Sequence, residues 1–130
     1  MVVVICILKK KERFLICSRP KGKEFAGWYE FPGGKIKKNE TKVTALKREL
    51  HEELNLNISN FNEYYFTSHD YIKYKVDISF YIANLYYLNF KLNFHIEYKL
   101  VCVDDLMSLD WLQADFSVLD YIQKNGLDSN

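Results

Sequence analysis

A chain of 130 residues is long enough for one hydrophobic core and short for two. With 48% of its residues apolar it buries enough surface to fold alone, and 18 basic against 17 acidic residues leave a net charge of +1, which argues against bulk nucleic-acid binding or a membrane surface. Cys6, Cys17 and Cys102 are odd in number, far apart and without a CxxC or Cys/His grouping, so neither a disulfide framework nor a zinc site is indicated; reduced, buried thiols in a cytoplasmic protein are expected.

Residues 2–8 form a continuous apolar run rich in β-branched side chains, read as a strand covered on both faces. The run is too short to cross a bilayer and has no basic leader before it. Lys9-Lys10-Lys11-Glu12 makes a solvated turn, and residues 13–19 return as the hairpin partner. A polar loop follows, then Trp28-Tyr29-Glu30-Phe31-Pro32-Gly33-Gly34, in which Pro32 holds Phe31 extended and the paired glycines permit a sharp turn. A helix is predicted from Thr41, a good N-cap residue. Beyond it, residues 61–67 read as a strand, and residues 72–83 alternate over twelve positions. Ile72, Tyr74, Val76, Ile78, Phe80 and Ile82 fall on one side, with Lys73, Lys75, Asp77, Ser79, Tyr81 and Ala83 on the other. Residues 86–94 either extend that strand or form a bulged connection. Residues 97–103 read as a last strand and residues 104–107 as a helical turn. A closing amphipathic helix over residues 115–125 points Phe116, Leu119 and Ile122 inward and stops at Gly126. This order suits a mixed sheet between helices, an α/β/α sandwich in one domain spanning 1–130.

The helix after the glycine pair carries the chemistry. At 100° per residue, Glu49, Glu52 and Glu53 lie at about 0°, 300° and 40° around its axis, while Val43, Leu46, Leu50 and Leu54 form a neighbouring apolar stripe. Three carboxylates so close raise one another's pKa unless a cation neutralises them, and a hard divalent ion is the natural neutraliser.

Gly34, Glu40, Arg48, Glu49, Leu50, Glu52, Glu53 and Leu56 together resemble the box of the Nudix hydrolases, G-x5-E-x7-R-E-U-x-E-E-x-G-U with U a bulky aliphatic residue. The one departure is Asn55 in place of glycine, and asparagine is the next residue best able to end a helix with positive φ. WYEFPGGK is similar to the MutT-type branch, which hydrolyses nucleoside triphosphates. The resemblance covers nearly the whole chain and implies the Nudix α/β/α sandwich. It implies Mg2+ as cofactor, with Mn2+ as a substitute, held by Glu49, Glu52, Glu53 and the Gly34 carbonyl. Glu49 or Glu53 would serve as base on a water, with Arg48 orienting a carboxylate and Glu40 helping it or reaching metal through water. Arg19 and Lys35 would contact phosphates, and Phe31, Tyr71, Tyr74 and Asp115 would surround the base. Tyr74 replaces a MutT arginine, and Asp115 also suits the N-cap of the last helix. MutT-like chains often add a Glu-His pair; here the matching run is Phe94-His95, with Glu97 a candidate replacement for the carboxylate and a surface or capping role the default for His95.

The function so implied is Mg2+-dependent hydrolysis of (deoxy)nucleoside triphosphates, oxidised or cytidine nucleotides among them, to monophosphate and pyrophosphate, for sanitation of the nucleotide pool. The expected partner is a nucleotide, with no nucleic acid or membrane, acting on a monomer or weak homodimer. The alternatives are another nucleoside diphosphate derivative, such as ADP-ribose or a dinucleoside polyphosphate, or a module that binds nucleotide without cutting it. Pro20 and Pro32 both precede the box, which counts against the ADP-ribose branch, and no box carboxylate is missing, which counts against the binding module.

Overall fold

A computed structural model describes the chain except residues 113–114 and 128–130 and the side chain of Met107. Nine consecutive residues, Val2–Lys10, form β1, and a two-residue turn leads into β2, Arg13–Ser18. Two short strands follow, β3 (Tyr29–Glu30) and β4 (Gly33–Lys35), before helix α1, Lys42–Leu54. The chain continues through β5 (Asn62–Asp70), β6 (Lys75–Asn84) and β7 (Tyr98–Val101), a 3-10 turn at Val103–Ser108, and α2, Phe116–Asn125.

All seven strands belong to one mixed sheet, whose main path runs β3-β2-β1-β6-β5. The β1–β6 pairing is parallel, from Val2 opposite Asp77 to Lys9 opposite Asn84. The β1–β2 hairpin stays closed only near its turn, with Lys9 opposite Phe14 and Lys10 opposite Arg13. Beyond that the strands part, and β3 and β4 enter the gap. β4 pairs with β1 from Val3 to Ile5, while β3 pairs with Cys17 and Ser18 of β2. The Cys6 amide donates to the Pro32 carbonyl at 2.9 Å between them, so the WYEFPGG segment is wedged into a splayed hairpin. Gly33 is required there, since a Cβ would stand 2.2 Å from the Val4 carbonyl oxygen. The other edge of β2 takes β7.

Period-two alternation on β1, β2 and β6 feeds two cores. Ile5, Ile7, Phe14, Ile16, Ile78, Phe80 and Ile82 pack with Val118, Leu119 and Ile122 of α2. Val4, Cys6, Leu8, Leu15, Cys17, Tyr81 and Ala83 pack with Ala45, Leu46, Leu50 and Leu54 of α1. The expected sandwich is thus present, with both faces of the central strands buried. Burying an aliphatic side chain fully stabilises by about 1.5–3 kcal/mol. Burial also raises the Cys6 and Cys17 thiol pKa values far above normal, keeping both thiols protonated.

Several sequence expectations need correction. β6 begins at Lys75: Ile72 is fully exposed and Tyr74 half-exposed in the preceding turn, because alternation in sequence continued through residues that the hairpin turns outward. Residues 86–94 form no strand, and Tyr86 and Tyr87 face solvent. Phe116 is exposed while Val118 takes the inward position, because the buried face centres on Val118, Leu119 and Ile122, and Phe116 lies about 100° around the helix from it. Gly126 does stop that helix, its amide donating to the Ile122 carbonyl at 2.7 Å. Among the described residues, no helix is long and apolar enough to cross a membrane.

Helix α1 is capped at both ends by local chemistry. The Thr41 hydroxyl accepts from the Thr44 amide at 3.1 Å. Asn55 adopts the left-handed conformation (φ 54°, ψ 36°), and its amide reaches the last helical carbonyls. Asn55→Gly is expected to leave stability within about 0.5 kcal/mol, whereas Asn55→Val costs about 1–2 kcal/mol, because a β-branched residue resists positive φ. Urea unfolding of the two variants against the parent measures this; equal stabilities would contradict it.

Candidate active site

The inner ends of the wedge and of α1 face each other across a cleft of about 390 Å3, lined by Arg19, Glu30, Gly33, Glu49, Glu52, Glu53, Asn93 and Phe94. α1 supplies three carboxylates to it for the reason its sequence implies: its apolar stripe is fixed against the sheet, which turns the bordering glutamates toward the glycine turn. Gly34 lies so close to the Glu49 carboxylate that a Cβ there would stand 2.5 Å from it. The Gly33 amide donates to the Glu53 carboxylate at 3.3 Å.

Arg48 organises the exposed border. Its Nε and Nη2 donate to Glu40 at 2.7 and 3.0 Å, its Nη1 to Glu49 at 2.9 Å and Glu52 at 3.2 Å, and Nη2 also to the Lys35 carbonyl at 3.0 Å. Hydrogen bonds from Arg48, then from the Lys37 amide, hold the Glu40 pKa down to about 2, so Glu40 remains an anionic anchor. Glu40 is thus held against Arg48 rather than directed into the cleft.

Inside the cleft the balance reverses. Burial, followed by the carboxylates of Glu49 and Glu30, pushes Glu53 up to about 8, partly opposed by the hydrogen bond from the Gly33 amide. Glu49 is raised by burial first, partly offset by Arg48. Among the described residues, no three acidic, histidine or cysteine side chains already converge as a ligand cage. Glu49 and Glu52 lean instead on Arg48. The donor set nevertheless fits a hard divalent cation: carboxylate oxygens crowded against one another, with too little positive charge to hold them all ionised.

Of the substrate-binding expectations, Arg19 lies in the cleft, its guanidinium 3.2 Å from Glu30 and bonded to the Glu24 carbonyl. Phe31 is buried against Phe14 and Trp111, with ring centroids 5.7 and 5.1 Å away. Asp115 is buried close to Glu30 and to the Phe31 amide, and burial raises its pKa well above the carboxylate range. Asp115 stands at the N-cap position of α2, as expected, but its side chain makes no capping bond. Lys35 contributes its carbonyl to Arg48, and its side chain does not line the cleft. Tyr71 and Tyr74 stack on each other at 5.0 Å by the β5–β6 turn and likewise lie off the cleft wall.

Two residues were missed. Glu30, in the sheet beside Arg19, faces the box glutamates from the opposite wall. His95, assigned a surface role from sequence, is buried, its Nε2 3.6 Å from Glu30 and 3.9 Å from Glu53. Glu97, the candidate replacement carboxylate, instead accepts from the Tyr29 hydroxyl at 2.9 Å. The available signal was a carboxylate flanked by Tyr29 and Phe31 and a histidine flanked by Phe94 and Ile96, both polar residues in apolar runs.

Comparison with known proteins agrees with this architecture. The NUDIX domain family matches residues 1–120. An 8-oxo-dGTP diphosphatase of Buchnera aphidicola subsp. Schizaphis graminum is 31% identical over 94% of this chain and 92% of its own length. A CTP pyrophosphohydrolase of Escherichia coli K12 is 41% identical over a shorter stretch, 42% of this chain and 40% of its own. The crystal structure of a MutT protein from Methanosarcina mazei Go1 superposes with a TM-score of 0.82 at 20% identity, covering 98% of this chain and 96% of the other. The chain belongs to the NUDIX domain family, whose members generally use divalent metals. Within that family it is a MutT-type hydrolase, a pyrophosphohydrolase enzyme.

The Glu53 carboxyl gives a pH signature. Its folded pKa of about 8 exceeds the ordinary 4.5, so between those values the folded chain binds more protons than the unfolded one, and stability falls as pH rises through that window. Metal-free protein is expected to lose melting temperature from about pH 5 to about pH 9. Glu53→Gln should flatten that slope and be the more stable protein at the alkaline end. Calorimetry across the range checks it, and identical slopes would refute it.

Proposed function

We propose that this enzyme hydrolyses (deoxy)nucleoside triphosphates to nucleoside monophosphate and pyrophosphate, with Mg2+ as its ion, in sanitation of the nucleotide pool. The observation that carries this reading is the under-neutralised carboxylate cleft facing Arg19, beside the buried carboxyl of Asp115. The names of the relatives in Buchnera and E. coli support the substrate class.

Cleaving a phosphoric anhydride requires a positioned water, a base for its proton and neutralisation of charge on the phosphate oxygens. Glu49, Glu52, Glu53 and the Gly34 carbonyl would hold the cation, which when bound supplies charge neutralisation to the phosphates and acidifies water. Glu49 or Glu53 would take the proton from the attacking water. Arg48 fixes the direction of Glu49 and Glu52. Arg19 binds the phosphates from the cleft wall, and Lys35 would join it only by turning its side chain from β4 toward the cleft. The nucleobase would lie toward Phe31 and Asp115, and away from the Tyr71–Tyr74 stack at the β5–β6 turn. Burial favours the protonated form of Asp115, which would offer a base edge a donor as well as an acceptor. Residues 1–130 act as one domain.

Purified protein with Mg2+ is expected to release pyrophosphate from a member of a panel of normal and oxidised nucleoside triphosphates. EDTA should abolish turnover, and Glu52→Gln or Glu53→Gln should lower kcat at least about a hundredfold. No pyrophosphate from any triphosphate, or faster turnover of ADP-ribose or dinucleoside polyphosphates, would overturn the reading. Nucleotide binding unchanged by those substitutions, without cleavage, would instead identify a binding module.

A further inference from the structure

The connection between β6 and β7 has no regular structure over residues 85–97, yet its last part is tied down at both ends. On one side the Lys91 and Asn93 amides donate to the Leu54 and Glu53 carbonyls at 2.9 and 2.8 Å, and the Asn93 side-chain amide to the Glu52 carbonyl at 3.2 Å. These carbonyls belong to the last turn of α1, which lacks helical partners for them. On the other side, Ser18 at the end of β2 exchanges backbone bonds with Ile96 and Glu97 at 3.1 and 3.0 Å, and its hydroxyl accepts from the Glu97 amide. Residues 91–97 are therefore a strap from the glutamate helix to the sheet, and the strap presses one side chain inward.

That side chain is His95, whose imidazole is 1% exposed. Phe94 packs edge-on against its ring at 5.0 Å, on the cleft side. Among the described residues neither ring nitrogen has a hydrogen-bond partner, although Nε2 faces Glu30 at 3.6 Å and Glu53 at 3.9 Å. Leaving a buried polar group unsatisfied is costly, and a purely structural position would shed that cost by taking an apolar residue. The gaps exceed hydrogen-bond length by about 0.5 Å, a distance that either carboxylate covers by a small side-chain rotation.

We propose that His95 is a positioning residue: its Nε2–H bridges the carboxylates of Glu30 on the sheet and Glu53 on α1, and sets the width of the cleft in which the box carboxylates hold a divalent cation. Glu30 thereby becomes part of the same acidic wall, held between Arg19 and His95. The kinetic part of this inference rests on the hydrolase reading above, and the metal-binding part does not.

The test uses the whole chain with His95→Gln, His95→Asn and His95→Leu, measuring Mn2+ affinity without nucleotide by the EPR signal of free Mn2+, then kcat and KM, then melting temperature. A glutamine amide extends to the Nε2 position, while an asparagine amide stops at Nδ1. The Asn and Leu variants are expected to lose about 10–100-fold in both Mn2+ affinity and kcat, with nucleotide KM little changed, and the Gln variant to recover most of both. Parental Mn2+ affinity and kcat in all three, with lowered melting temperature alone, would overturn the proposal, as would a Gln variant no better than Asn or a parent that binds no Mn2+. Should His95→Leu not fold, the comparison of Gln with Asn decides. If the parent turns over no nucleotide, the hydrolase reading fails and the Mn2+ series still judges His95.

Discussion

Arg48 is the bracket on which the site depends. One guanidinium joins Glu40 before the helix, Glu49 and Glu52 along it, and the Lys35 carbonyl at the end of β4. A planar fork with five donors can serve partners in several directions at once, which a lysine ammonium does less well. The arrangement lets three glutamates share a helix face without its last turns being driven apart. Neutralisation is deliberately incomplete in physical effect: Arg48 reaches the outer carboxylates, while Glu53 remains beyond its hydrogen bonds, beside Glu49 and Glu30. Repulsion left over in that place is what a bound cation relieves.

The sheet supplies the opposite wall by opening its own first hairpin. β1 and β2 separate after two paired positions, and the glycine-containing segment fits between them because Gly33 and Gly34 bring backbone where no Cβ could go. Gly33 meets β1 and Gly34 meets the Glu49 carboxylate, so one glycine lets the segment into the sheet and the other lets it approach α1. Glu30 and Arg19 come to the cleft by the same opening.

What was legible in the sequence was local. The α1 boundaries follow from Thr41 and Asn55, whose side chains and φ preferences act within four residues, and the central strands follow from β-branched runs. β3 and β4 were invisible because two or three residues containing glycine read as a turn, and only the splayed hairpin makes strands of them. The start of β6 was misplaced because Ile72 and Tyr74 continue an alternation that no partner strand enforces. Glu30 and His95 escaped for a related reason: they meet Glu53 from 23 and 42 positions away, and no spacing rule spans such distances. The box itself was readable because a helix is the one element that brings residues together at fixed short intervals.

The parallel pairing of β1 with β6 has a consequence for how this enzyme can be divided. Val2 lies opposite Asp77, so closing the middle of the sheet means joining segments some 75 positions apart, at an entropic cost repaid only when both strands are covered. A fragment ending before β6 would carry the complete signature yet lack the strand against which β1 is zipped. Such a piece has the letters of the active site without the means to spell them in space. Truncations built around the signature alone would be left with a marginal helix in water.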